Sequence, residues 1–351
     1  MRILLGEISS YKAIVIARYI YEKYPSVEIW AYDIKPIISN IHTKYVHNCV
    51  NIPMKSLEQY IVVLANYVCD NNIDVFVPVH SDFIGVILKQ KQLFGNSLNY
   101  IGEYADYIRL HEKDKLMVIA NELNITIPKK YKSLSEIQFP FVIKPKNLSS
   151  AKGVKYFWSD KDLENLSNIS DEMICQEYIQ GQGCGYEVYC KNGKIITEYG
   201  HLRLAEWPIT GGSSVLRKGY IHQEMRSIAE KILSYIPWTG FAMFEFKLTK
   251  DNKLVLIEVN PRIWGSINQA LQNDIPMFIS ILGKPNIDIR INKDLRTCLK
   301  PYVWMAMFKY LLKGNPNVIK EYYKYYSVTK NDVSLLKDPL GIISIFIRKL
   351  L

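Results

Sequence analysis

Long apolar runs are missing from this chain of 351 residues. None reaches 18 uninterrupted apolar positions, so no transmembrane helix is expected. Cysteine is sparse: six residues, with no CxxC pair and no metal-ligand spacing. That leaves reduced core thiols in a cytoplasm as the default. There is no internal repeat and no low-complexity tract. The opening Met1-Arg2-Ile3-Leu4-Leu5-Gly6 has no cleavage-like region and reads as a first strand rather than a signal peptide. The following Gly6–Ser10 loop lacks the full dinucleotide fingerprint, and a structural turn is its reading. The formal charge is +10, yet no element carries a dense Arg/Lys stripe with interleaved aromatics. Nucleic acid is therefore not expected, and a preference for anionic ligands such as nucleotides is the second reading of the charge.

What is present is patterned. Hydrophobic residues make up 48% of the chain, enough for packed cores, and its length suits two or three domains. Residues 1–105 alternate strand and helix: strands at Arg2–Leu5, Val27–Tyr32 and Asp74–Val79, helices at Lys12–Lys23 and Leu57–Asn71. This predicts a parallel sheet with helices on both faces. Residues 139–200 alternate strand, glycine-containing loop, helix and strand. After about residue 285 the pattern turns helical, with aromatic-rich Pro301–Leu312 and Val318–Tyr326.

The most informative segment is a predicted hairpin, Phe241–Thr249 and Leu254–Asn260 around Asp251-Asn252. Both arms alternate with period two, and Asp and Asn tolerate the positive φ of a tight turn. Closure there sets Glu245 opposite Glu258. Phe244, Phe246, Leu248, Val255, Ile257 and Val259 then share one face, and Glu245, Glu258 and Asn260 the other. Like charges facing each other destabilise a sheet. A bound cation would relieve them, and hard oxygen ligands suit Mg²⁺. Two solvated glutamates are the plainer alternative.

Other segments carry chemistry-bearing residues. Phe141-Val142-Ile143-Lys144 is an apolar strand ending in lysine, costly unless an anion answers it. Nine residues later Gly153 closes a small-residue loop whose backbone N–H groups can approach phosphates, although a plain β-turn reads equally. Ile174–Ile179 is an apolar strand whose exposed end can hydrogen-bond a purine, with Glu177 or Glu187 accepting from ribose; a surface hairpin is the alternative. In 198–218, Arg203 and Arg217 suit bidentate carboxylate or phosphate recognition. Gly211-Gly212-Ser213-Ser214 can present N–H groups to an oxyanion.

Taken in order, Asp114-Lys115, FPFVIKP, SSAKGV, QEYIQG, FEF and IEVNPR (258–262 completing the last) resemble the ATP-grasp superfamily over roughly residues 1–280. The tail 333–340 is similar to its carbamoyl-phosphate-synthase-like branch of carboxylate–amine ligases. The resemblance implies a Rossmann-like pre-ATP-grasp domain at 1–105. It also implies an ATP-grasp domain at 106–285, divided into 106–175 and 176–285, and a C-terminal helical segment at 286–351. In class terms this is α/β followed by α+β. It implies that Lys115 and Lys144 contact ATP phosphates under a loop containing Ser149, Ser150 and Gly153. Glu177, Tyr178 and Ile179 would line the adenine pocket. Glu245, Glu258 and Asn260 would hold Mg²⁺, with Mn²⁺ an alternative. Arg262 would stabilise the phosphate in transfer, and Arg203 and Arg217 would serve the acceptor. Many members carry an acid after the hinge glycine, where this chain has Gln182-Gly183-Cys184, so Glu187 stands as the ribose candidate.

The implied reaction is ATP-dependent ligation of a carboxylate to an amine through an acyl phosphate, releasing ADP and phosphate. The expected setting is a cytoplasmic enzyme with small-molecule substrates, and a homodimer is the default assembly. A non-catalytic ATP-binding regulatory or assembly module is the alternative. A membrane-peripheral ligase acting on cell-envelope precursors is a third reading. The C-terminal aromatics (Tyr302, Trp304, Phe308, Tyr310, Tyr322, Tyr323) read as packing. A lipid-contacting surface supported by Ile342–Leu351 is the minority reading.

Overall fold

The computed structural model describes residues 1–36, 41–79, 81–148, 153–163, 169–209, 211–284 and 294–350. Strands β1 (Arg2–Leu5), β2 (Glu28–Asp33), β3 (Asn48–Asn51) and β4 (Val75–Val77) form a parallel sheet in the order β3-β2-β1-β4. Helix α1 (Tyr11–Lys23) joins β1 to β2, and α2 (Leu57–Asp70) joins β3 to β4. Ser10 starts α1 by accepting the Ala13 N–H at 3.2 Å. Ile14, Ile16, Ala17 and Ile20 of α1 are buried. β3 was not expected: Asn48-Cys49-Val50-Asn51 has no apolar alternation, and pairing with β2 alone makes it a strand.

Helices α3 (Ile84–Lys89), α4 (Tyr104–His111) and α5 (Lys113–Glu122) lead to a small antiparallel sheet. It contains β5 (Lys130–Tyr131), β6 (Phe141–Pro145), β7 (Lys155–Phe157) and β8 (Met173–Glu177), ordered β5-β8-β6-β7. Phe141 stacks on Phe157 at 4.6 Å between centroids in its compact core. β8 runs through Glu177.

The third sheet has seven strands. Its elements in chain order are β9 (Gln182–Lys191), β10 (Lys194–Trp207), β11 (Ser213–Gly219), helix α6 (Met225–Tyr235), β12 (Gly240–Leu248) and β13 (Leu254–Asn260). Then come α7 (Asn268–Leu271), α8 (Ile279–Leu282), β14 (Arg296–Cys298), α9 (Tyr302–Leu312), α10 (Asn317–Lys324), β15 (Thr329–Asn331) and α11 (Pro339–Leu350). The order is β13-β12-β9-β10-β11-β14-β15. The C-terminal segment, expected to be helical, thus also supplies two three-residue strands. Alternation gives this sheet its two faces. Tyr186 and Val188 of β9 and Ala242 and Phe244 of β12 join a core with Met225, Ile228, Ile232 and Leu233 of α6. The other face carries Gly183, Gly185 and Glu187.

The hairpin β12–β13 pairs Glu245 with Glu258 and Phe244 with Val259, as the alternation predicted. The turn differs. It spans Thr249–Lys253, with Thr249 N–H bonded to the Lys253 carbonyl at 3.0 Å and Asn252 at φ 61°. The register shifts between Glu245 and Phe246, so Phe246 pairs with Leu256 and Ile257 is the extra residue. The longer turn and the bulge offset each other, which preserves the carboxylate pairing. Leu256 is therefore the core residue, and Ile257 turns toward the cleft.

Candidate active site

A cleft of about 460 Å³ lies between the small sheet and the seven-stranded sheet, within the usual range for small-molecule sites. Among the described residues seven cationic and four anionic side chains line it. The excess of positive charge suits an anionic ligand.

Its floor is the hairpin. The Asn260 amide donates to Glu245 Oε1 and to Glu258 Oε1, each at 2.9 Å. Four cations converge on this trio. Lys113 Nζ stands 3.3 Å from Glu258 Oε2. Arg203 Nη2 donates to Glu245 Oε2 at 2.5 Å. Arg262 Nη2 donates to Asn260 Oδ1 at 2.9 Å. Lys144, buried at the end of β6, lines the same space. Gly183 of β9 leaves room for this packing: a Cβ there would meet Glu206 Oε1 at 2.8 Å and Arg203 Cδ at 2.9 Å.

The electrostatics follow from crowding. Burial pushes Glu245 above the usual carboxylate range and the Glu258 charge adds to this, against the pull of Arg203. Burial alone would raise Glu258 too, but Lys113, Lys144, the Asn260 hydrogen bond and Arg262 hold it well below that range. Burial lowers Lys144 to about 8, with Lys113 contributing repulsion. Burial lowers Arg262 as well, opposed by the two glutamates. Two adjacent buried carboxylates bridged by one amide supply the hard oxygen atoms that a divalent cation takes, and the Asn260 oxygen beside them is engaged by Arg262.

Lys113 opens α5, and its backbone N–H bonds the Lys146 carbonyl at 3.1 Å, fixing the helix start against β6. Its ammonium also donates to the Leu148 carbonyl at 2.5 Å. Lys115, expected at the phosphates, does not line the cleft: two residues along a helix is more than half a turn, and it pairs with Glu112 at 2.8 Å on the outside. Lys12, from α1, was not anticipated either. Its amine reaches the Ile263 carbonyl at 3.2 Å, and burial together with Arg262 lowers it to about 7.

Past β8, Glu177, Tyr178 and Ile179 line the far end of the cleft. Tyr178 packs edge-on against Tyr156 and Trp158, at 5.9 and 5.0 Å between centroids. Val142, Val154 and Ile209 extend this apolar wall. Gly153, at φ 72°, sits beside Pro145, where a Cβ would come within 2.9 Å of the proline ring. Ser149 and Ser150 lie outside the described residues. Gly211, Gly212, Ser213 and Ser214 line the cleft and lead into β11.

Two expected residues do not reach the cleft. Glu187 sits mid-sheet on β9 and is fully buried. It accepts from Ser266 Oγ at 2.9 Å and lies 2.9 Å from His201 Nδ1, so it holds the floor in place and is shut off from a ribose. Arg217 is fully buried and grips Asp332 from the segment between β15 and α11. Ser266 does face the cleft.

Residues 110–266 match the family described as ATP-grasp domain. A D-alanine–D-alanine ligase of Fusobacterium nucleatum is 27% identical over 188 residues, 50% of this chain and 64% of that protein. The chain therefore spans just under two thirds of this relative's length. Among solved structures, the biotin carboxylase domain of 2-oxoglutarate carboxylase from Hydrogenobacter thermophilus aligns with a TM-score of 0.66 at 14% identity, over 83% of this chain and 72% of that one. An L-amino acid ligase from Bacillus licheniformis aligns with a TM-score of 0.61 at 17% identity, over 83% and 77%. The cleft between two sheets and the opposed carboxylates on its floor fall within or beside the match over 110–266, and that part of the chain is an ATP-grasp domain.

Proposed function

We propose that this protein is an ATP-dependent ligase that joins a carboxylate to an amine and releases ADP and phosphate. The observation that carries the reading is the convergence of Lys113, Lys144, Arg203 and Arg262 on Glu245, Glu258 and Asn260 in one cleft. Lys113 and Lys144 would bind nucleotide phosphates. The Glu177–Ile179 segment and the Val142–Tyr156–Trp158 wall would take the adenine. Glu245, Glu258 and Asn260 would hold Mg²⁺, which when bound neutralises phosphate charge and orients the terminal phosphoryl group. Arg203 and Arg262 would face the oxygens that gain charge.

The chemistry needs no side-chain nucleophile. A substrate carboxylate oxygen bonds to the γ-phosphorus as the bond to the β–γ bridging oxygen breaks, and ADP leaves. The amine nitrogen then bonds to the acyl carbon, phosphate leaves, and the amine gives up a proton. Positioning and fixed charge supply the rate enhancement. Two similar proteins are named as amino-acid ligases, so amino acids are the first carboxylates to test. No described helix is long and apolar enough to cross a membrane. A cytoplasmic setting and a homodimer complete the proposal.

The test is phosphate release from ATP across a panel of carboxylates and amines, with and without Mg²⁺, followed by product mass. Release that needs both partners and yields their condensed mass supports ligation. ATP binding without release across the panel supports a regulatory or assembly module instead.

A further inference from the structure

Helix α9 buries one face and leaves the other uncovered. Val303, Ala306 and Met307 pack against Val215, Leu216 and Cys298. On the opposite side Trp304, Met305, Phe308, Leu311 and Leu312 are between 44% and 65% exposed. Their spacing (i, i+1, i+4, i+7, i+8) puts all five on a single helix face. The patch continues beyond α9. Lys300 Nζ stands 5.5 Å from the Trp304 ring and 5.1 Å from that of Tyr326, and exposed Tyr326 stacks with exposed Tyr323. Contiguous apolar surface of this kind on a water-facing helix marks an interaction site.

Charge selects the partner. Residues 300–351 hold nine Lys and Arg against three Asp and Glu. All three acids already have partners within the chain: Glu321 with Arg296, Asp332 with Arg217, and Asp338 with Thr43. Lys309, Lys320 and Lys324 are exposed around the apolar face. A second copy of this chain docking by two-fold symmetry would set these lysines against one another with no unengaged acid of residues 300–351 to answer them. A bilayer with anionic headgroups answers both the apolar face and its basic rim. Aromatic residues at the margin suit the same interface.

We propose that the exposed face of α9 docks on an anionic lipid surface, with Trp304, Phe308 and Leu312 entering the interface and the flanking lysines over the phosphates. Helix α11, the sequence's own candidate for lipid contact, is committed elsewhere. Its Ile342 and Ile345 are buried with the N-terminal core, and Arg348 pairs with Glu7 at 2.8 Å. Lys313, which ends α9, lines the cleft, so docking would bring the cleft mouth beside the lipid.

The test is co-sedimentation of the full chain with phosphatidylcholine vesicles, with and without phosphatidylglycerol, at low and high salt. It is read without turnover and so fails or succeeds independently of the ligase reading. Binding is expected only to the phosphatidylglycerol vesicles and is expected to weaken with salt. Lys309→Gln with Lys324→Gln should reduce it about 25-fold, at about fivefold per charge. Phe308→Ser with Leu312→Ser should reduce it on the order of tenfold or more. These four positions are exposed, so the variants keep the fold, which circular dichroism checks. Wild-type protein left in the supernatant, equal binding to neutral vesicles, or undiminished binding of the Ser variant would each overturn the proposal. A wild-type dimer that the Ser variant converts to a monomer would assign the face to a second copy instead.

Discussion

Lys113 and Lys115 lie two residues apart, and only one of them faces the cleft. Lys113→Met removes an ammonium 3.3 Å from Glu258 at the point where nucleotide phosphates are proposed to bind. One charge-assisted hydrogen bond contributes about 1.5–3 kcal/mol. At 1.4 kcal/mol per decade, affinity for ATP with Mg²⁺ should fall about ten- to a hundredfold. Lys115→Met removes an exposed charge whose partner is Glu112, and any loss of affinity should stay within about fivefold, since such surface pairs contribute about 0–1 kcal/mol. Isothermal titration with ATP and Mg²⁺ on both variants and wild type provides the comparison, with thermal melting run alongside to show that each is folded. A Lys115→Met loss equal to or greater than the Lys113→Met loss would refute the placement of the helix and the phosphate site built on it.

Three further outcomes are expected. Arg217→Met leaves the buried Asp332 carboxylate without its cation, with only the Asn268 amide still donating to it, and should destabilise the fold by about 3–5 kcal/mol; under conditions where the variant remains folded, ATP affinity should be unchanged, and a selective loss of affinity would return Arg217 to the site. Lys12 has a folded value of about 7 against an ordinary 10.5, so the unfolded chain binds more protons between these values and stability rises with pH there. The penalty is complete below about pH 7, so the stability of Lys12→Met relative to wild type should be greatest there and decline toward pH 10.5; denaturant titrations showing a pH-independent difference would contradict this. Gly183→Ala drives a Cβ into Arg203 and Glu206. It should weaken ATP binding and lower thermal stability together, and a variant matching wild type in both would show that the glycine is dispensable.

The parts of this architecture written in local pattern were legible in the sequence. Alternation around Asp251-Asn252 was enough to oppose Glu245 and Glu258, although the turn length and the bulge at Ile257 were each invisible and cancel only in three dimensions. The α1 and α2 helices show their buried stripes directly. What escaped depends on distant partners. Arg203 and Arg217 are equivalent as residue types and sit opposite each other across β10 and β11, yet Asp332, 115 residues beyond Arg217, claims one and Glu245 claims the other. Strands β14 and β15 are three residues long and exist through their sheet neighbours. Lys12 enters the cleft from a helix near the chain start, placed there only by the packing of the N-terminal sheet against the segment around Ile263.

The central claim is that Glu245, Glu258 and Asn260 act together to hold a magnesium–nucleotide complex against the cleft's cations. The most direct measurement is titration of ATP into wild type and Glu258→Gln, each with Mg²⁺ and with a chelator. Wild type should bind ATP tightly only with Mg²⁺, and in Glu258→Gln that dependence should largely vanish while the protein melts as a folded unit. Equal affinity with and without the metal in wild type, or an intact metal dependence in the variant, would contradict the account.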